Sequence, residues 1–222
     1  ILGRMRERAI RDAAARAPIV FEGAIPSNLA DNRLFLDAWH AQAKPAAAWT
    51  VWLGDAVAIK DPTAATLKKQ AGANLAILGQ NEDIACGLLA ATLLSLGAQV
   101  EQNPDGAAVH LVVGQALESA AEAVVGALAD KLSIRLWPQR DLGALLNDLA
   151  DEIDRRGPRG GPPRFLLLHG LHRLRDLRRS DDDFGFSRKG EEKTPHRQFL
   201  HVLKEGPPVG IFTSLWCDTL TN

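Results

Sequence analysis

The chain has 222 residues, 46% of them hydrophobic and 24% charged, with a formal net charge of −1; that is enough to bury a core as one large domain or one domain with an appendage. Its longest apolar runs, such as Leu88 to Leu96, fall short of the roughly 20 residues of a membrane span. Arg4, Arg6, Arg8 and Arg11 are followed by no apolar block, so neither a secretory leader nor a membrane contact is predicted. Cys86 and Cys217 lack metal-ligand spacing and are too few for a disulfide framework, which fits a reducing cytoplasm.

Leu2 to Arg16 mixes Arg, Glu and Ala at good helix propensity and starts mid-element, as a segment of something longer would. Pro18 to Phe21 reads as a short strand. Ser27 or Asn28 is placed to cap a helix from Leu29 to Gln42 with Leu34, Leu36 and Trp39 on its apolar face. Pro45 and an alanine run mark a boundary, so residues 1–48 are predicted to be a helical extension to a main domain over 49–222. Trp49 to Leu53 and Ala56 to Ile59 flank Gly54-Asp55 as in a hairpin.

Asn74 to Leu78 is an apolar strand that runs through Gly79-Gln80-Asn81-Glu82-Asp83-Ile84-Ala85-Cys86 into an apolar helix from Gly87 to Leu96. Strand, loop and helix in that order are the layout of a phosphate-binding P-loop, which reads Gly, four residues, Gly, Lys, Ser or Thr. Glycines let backbone N–H groups wrap the phosphates, the lysine reaches them and the hydroxyl holds Mg²⁺. Here Ile84 stands in the second glycine slot, Ala85 in the lysine slot and Cys86 in the hydroxyl slot, and Glu82 and Asp83 add negative charge. The layout is that of a nucleotide site without its chemistry.

Strand and helix then alternate. Ala108 to Val113, Ile134 to Trp137, Arg164 to Leu168 and Val209 to Trp216 are strand candidates. Gln115 to Lys131, Leu142 to Arg156 and His196 to Glu205 have helical spacing, and the Gly- and Pro-rich stretch 157–163 is a loop. Strands separated by helices predict a mostly parallel α/β sheet covered on both faces.

The order of the loop strand, a long helical excursion, the strand ending at Leu168, a helix and the strand Gly210 to Trp216 resembles the RecA-like motor domain of the FtsK/SpoIIIE family of DNA translocases. Leu53-Gly54-Asp55 ahead of the loop strand, and Lys204 to Ile211 ahead of the last strand, are similar in register to that family. The resemblance covers roughly residues 49–222 and implies a RecA-like P-loop NTPase-type fold, ATP with Mg²⁺, hexameric rings and double-stranded DNA. In that family the second strand ends in an Asp-Glu pair that orders Mg²⁺ and activates water. This chain carries His169 and Gly170 there, and Cys217 then Asp218 at the polar sensor position.

Residues 155–204 hold 13 Lys and Arg against 6 Asp and Glu, while residues 1–154 hold 13 against 19. The basic segment reads either as a solvated or subunit-facing surface or as a nucleic-acid contact, with Arg173, Arg175, Arg178, Arg179, Arg188 and Lys189 as candidate contacts. The loop Asp181 to Phe186 is a candidate docking element between subunits. His169 and His172 lack a neighbouring third ligand and read as structural histidines, the cysteines as small buried thiols at the carboxyl edge of the sheet, and the five tryptophans as packing.

The sequence therefore predicts a degenerate RecA-like copy with no catalytic residues and no metal, within a larger translocase- or segregation-type protein, partnered by other ATPase domains or subunits and needing no cofactor of its own. Two alternatives stay open. One is an ATP-binding translocase domain with an unconventional site built on Gly79 and backbone amides; the other is a secretion-type ATPase scaffold that binds proteins.

Overall fold

The computed structural model describes residues 27–40, 48–56, 60–101, 106–114, 117–132, 134–157, 160–177 and 193–219. The expected elements at Leu2–Arg16 and Pro18–Phe21 lie outside them.

Asn28 accepts the Ala30 N–H and starts a 3-10 turn over Leu29–Asp31. Asn32 accepts the Phe35 N–H at 3.0 Å and opens helix α1, Arg33–His40. Phe35 is the buried residue of α1, packed on Trp39 and Trp52, whereas Leu34, expected on the apolar face, is 44% exposed. Three large aromatic rings decide the orientation over the smaller leucine.

Strand β1, Ala48–Gly54, pairs antiparallel with β2, Thr63–Lys68, with Trp49 opposite Leu67. The strand paired with β1 is thus Thr63–Lys68; of the predicted partner, Ala56 to Ile59, Ala56 lies outside both strands and residues 57–59 lie outside the described residues. Strand β3, Leu75–Leu78, then leads to helix α2, Glu82–Glu101. After it come β4 (Ala108–Val113), α3 (Ser119–Lys131), β5 (Ile134–Trp137), α4 (Leu142–Arg155), β6 (Arg164–His169), α5 (Pro195–Glu205) and β7 (Ile211–Cys217). Pro207–Val209, expected to begin the last strand, is a 3-10 turn because two prolines hold it there.

The five strands β3-β7-β6-β4-β5 form one sheet, and every pairing in it is parallel. Phe165 and Leu167 of β6 face a core with α2, α3 and the β1–β2 hairpin, and Leu166 and Leu168 face another with α4 and α5. Successive side chains of a strand point to opposite faces, so a strand covered on both must be apolar throughout; all four of these residues are 2% exposed or less. The strand before the loop and the strand ending at His169 are separated by β7, and the chain has the parallel α/β sheet flanked by helices that the resemblance implies.

Helix α2 is longer than the predicted Gly87 to Leu96. Its mean hydropathy of 1.6 over 18 residues makes it long and apolar enough, by length and composition only, to cross a membrane. The expectation that no segment has those properties is thereby corrected. In this fold half of that window is buried, because the helix has protein on several sides: the sheet, α3 and β1. Gln99 grips both backbone groups of Thr50, at 3.1 and 2.7 Å, and the Ser95 hydroxyl accepts the Trp52 N–H at 3.2 Å. These bonds satisfy the outer edge of β1, which would otherwise present unpaired backbone groups.

Candidate functional site

Ligands of open parallel sheets bind at the carboxyl ends of the strands, and here that edge is formed by Gly79, His169 and Cys217. The connection after β3 is three residues, Gly79, Gln80 and Asn81. Both backbone groups of Gly79 are used: its N–H donates to the Cys217 carbonyl at 3.1 Å, and its carbonyl accepts the Trp216 indole N–H at 2.9 Å. Asn81 caps α2, its side chain accepting the Ile84 N–H and its carbonyl the Ala85 N–H, each at 3.0 Å.

Glu82, Asp83, Ile84 and Ala85 thus form the first turn of the helix instead of a loop. A bare helix N-terminus attracts anions. This one carries two carboxylates and a side-chain cap, with Gln80 to Ile84 exposed, Ala85 buried and Cys86 half-buried. Burial, with Asp83, Glu82 and Glu118 nearby, pushes the Cys86 thiol up.

At the end of β6, His169 is 2% exposed and stacks on Trp216 with ring centroids 4.6 Å apart. Its Nε2 lies 3.9 Å from Cys86 Sγ. Burial pushes its imidazole down to about 4, against an opposing pull from Glu82 and with help from His172. Gly170 follows at φ +84°, the left-handed region that favours glycine. The Leu171–Arg173 turn then swings His172 edge-on to Trp216, at 5.3 Å.

His172 Nδ1 is 3.6 Å from Asp218 Oδ1 and accepts the Asp218 N–H at 3.4 Å. Cys217 Sγ is 3.5 Å from Asp218 Oδ1 and 3.2 Å from the Thr219 carbonyl. The two histidines, expected to lack further ligands, are therefore parted: His169 meets Cys86, and His172 meets Cys217 and Asp218. Sequence reasoning placed each of these residues at the sheet edge. It missed Trp216 as the ring between the histidines, since only the left-handed turn at Gly170 brings His172 back across it.

Among the described residues, Arg156, Arg164 and Lys193 of the basic segment are neutralised. The Arg156 side chain is 6% exposed, bonded to Glu152 at 2.6 Å and to the carbonyls of Val209 and Pro162. Arg164 reaches Glu152 at 3.4 Å, and Lys193 pairs with Asp151 at 2.8 Å. Burial pushes the Glu152 carboxyl up, but the hydrogen bonds and charges of these two arginines together hold it below its usual range. Arg173 and Arg175 are exposed beyond the carboxyl edge. Arg178, Arg179, Arg188, Lys189 and the Asp181 to Phe186 loop lie outside the described residues.

Together these features define an open parallel α/β domain with a short, capped helix start at the carboxyl edge of its sheet. No family model matches the chain, and no curated protein matches it. Among solved structures it is similar to one described as an ATPase, at 15% identity and a TM-score of 0.49, over 88% of this chain and 72% of the other.

Proposed function

We propose that this chain is a RecA-like domain of an FtsK/SpoIIIE-type cytoplasmic assembly that does not hydrolyse nucleotide and acts as a structural or regulatory partner to active copies in the same protein or ring. The extension over 1–48 and the RecA-like part over 49–222 belong to this reading. The observation that carries it is the three-residue connection capped by Asn81, whose carbonyl and side chain engage two of the amides an unconventional phosphate site would use. The absent lysine at Ala85 and absent acidic pair at His169-Gly170 support the same reading. Without them there is no clamp on the phosphates, no metal ligand and no base for the attacking water.

Calorimetric titration of the domain with ATP and ADP, with and without Mg²⁺, tests this, alongside an Ala85→Lys, Cys86→Ser double variant. The expected result is no binding by either protein, because the connection ahead of the helix is only three residues and position 85 is buried. Micromolar, Mg²⁺-dependent binding by the native chain overturns the proposal in favour of an unconventional ATPase. Double-stranded DNA remains a candidate partner of the assembly through Arg173 and Arg175; such binding must weaken steeply as salt rises. A scaffold for protein partners alone gives no DNA binding at low salt.

A further inference from the structure

The carboxyl edge of the sheet gathers a second kind of chemistry that the nucleotide reading leaves unused. His172, Cys217 and Asp218 each offer one ligand atom, and the three atoms lie within 4.8 Å of one another. Cys217 is buried and the other two are half-buried. We propose that His172, Cys217 and Asp218 form a three-ligand site for zinc or a similar borderline divalent cation, with a fourth coordination position open to a small ligand.

Two of the three ligand pairs already stand at the spacing that ion needs. Bonds of about 2.3 Å to sulfur and about 2.0–2.2 Å to nitrogen and oxygen put tetrahedral ligands roughly 3.4 Å apart for an N–O pair and roughly 3.6 Å for an S–O pair. The chain holds His172 Nδ1 3.6 Å and Cys217 Sγ 3.5 Å from Asp218 Oδ1. An ion can therefore enter with little movement of the carboxylate relative to either partner. A thiolate, an imidazole and one carboxylate also select by type: this set favours zinc over magnesium or calcium, which take oxygen ligands.

The scaffold fixes the ligands from two directions. Cys217 ends β7, pinned to β3 by the Gly79 N–H, and Asp218 follows it, while His172 arrives from the turn after β6, oriented by the edge of Trp216. On binding, the Cys217 S–H bond breaks and its proton leaves to solvent, the Asp218 N–H gives up its contact with His172 Nδ1, and sulfur, nitrogen and oxygen each donate a lone pair to the cation. Three protein ligands with an open position are the set found in catalytic rather than purely structural zinc sites. The inference goes beyond the proposed function and needs no bound nucleotide, so the ATP titration does not decide it.

Cobalt(II) is the probe, added to the full chain and followed by absorption. One equivalent is expected to give a thiolate-to-cobalt charge-transfer band and the strong visible bands of a four-coordinate centre, both removed by zinc and unaffected by magnesium. Cys217→Ser abolishes the charge-transfer band, and His172→Gln and Asp218→Ala each weaken binding by at least about tenfold, the lower end of what losing even an outer-shell partner costs. Because Cys217 is buried, Asp218→Ala with an unchanged circular dichroism spectrum separates ligand loss from misfolding. Cys86→Ser retains the full signal. Absence of the band in the native chain, its survival in Cys217→Ser, or its loss in Cys86→Ser overturns the site.

Discussion

His110 sits on β4 at 6% exposure and accepts the Trp137 indole N–H through Nδ1 at 3.0 Å. Burial first, then the charges of Arg135 and Arg164 and against the pull of Glu152, pushes its imidazole down to about 4. Unfolded, it protonates near its ordinary value of about 6.5. Between those values the unfolded chain binds the extra proton, so the contribution is fully present above about 6.5 and is lost as pH falls, levelling out near 4. Integrated from pH 7 to pH 5, one such histidine loses about 2 kcal/mol; His169, pushed to the same value by burial, loses a similar amount. Urea unfolding at half-unit steps across that window, in the native chain and in His110→Gln, measures this. Glutamine keeps an acceptor for Trp137 but cannot titrate, so the variant is expected to lose about half as much stability as the native chain. Parallel losses in the two proteins would falsify the linkage.

Three further outcomes follow from the packing. Asn74 donates to the Leu203 carbonyl at 2.8 Å and accepts the Thr213 N–H at 2.9 Å; Asn74→Ala strands both groups and is expected to cost about 2–3 kcal/mol in denaturant unfolding. A Cβ at Gly97 would lie 2.6 Å from Leu132 Cδ1, so Gly97→Ala should lower stability by about 1–3 kcal/mol despite alanine's better helix propensity; an unchanged melting temperature would show that α2 and α3 are not in close contact. Alkylation of Cys86 near pH 8 is expected to be slower than that of a free thiol and to quicken in Glu82→Gln, Asp83→Asn, because burial and those carboxylates hold the thiol protonated. Equal rates in the two proteins would argue against the electrostatic part.

The sheet was legible in the sequence because a doubly covered parallel strand has to be apolar along its whole length, as Phe165 to Leu168 is. Local signals also revealed α4 and α5, whose buried residues recur at helical spacing. The start of α2 was less readable. A glycine-led loop suggested a P-loop frame, but Asn81 is a better helix cap than a loop residue, and Glu82 and Asp83 in the first turn suit the helix dipole. The partner of β1 was missed because the glycine-aspartate turn signal outweighed a longer connection whose return strand, Thr63–Lys68, is mostly exposed and weakly patterned. The grouping of His172, Cys217 and Asp218 depends on a parallel pairing and a left-handed turn, neither of which has a local sequence signature.

The pairing of β3 has a consequence for how the chain is made. Among the described residues its ladder is with β7 alone, Leu75 to Leu78 against Ser214 to Cys217, and the Trp216 indole closes on Gly79 from 137 residues away in sequence. The connection ahead of α2 therefore cannot be set until Trp216 has left the ribosome. Until then Leu75 to Leu78 is an apolar segment without its partner, in a topology whose distant contacts slow folding. The edge on which His169 meets Cys86 and His172 meets Cys217 is thus set only after β7 has been made.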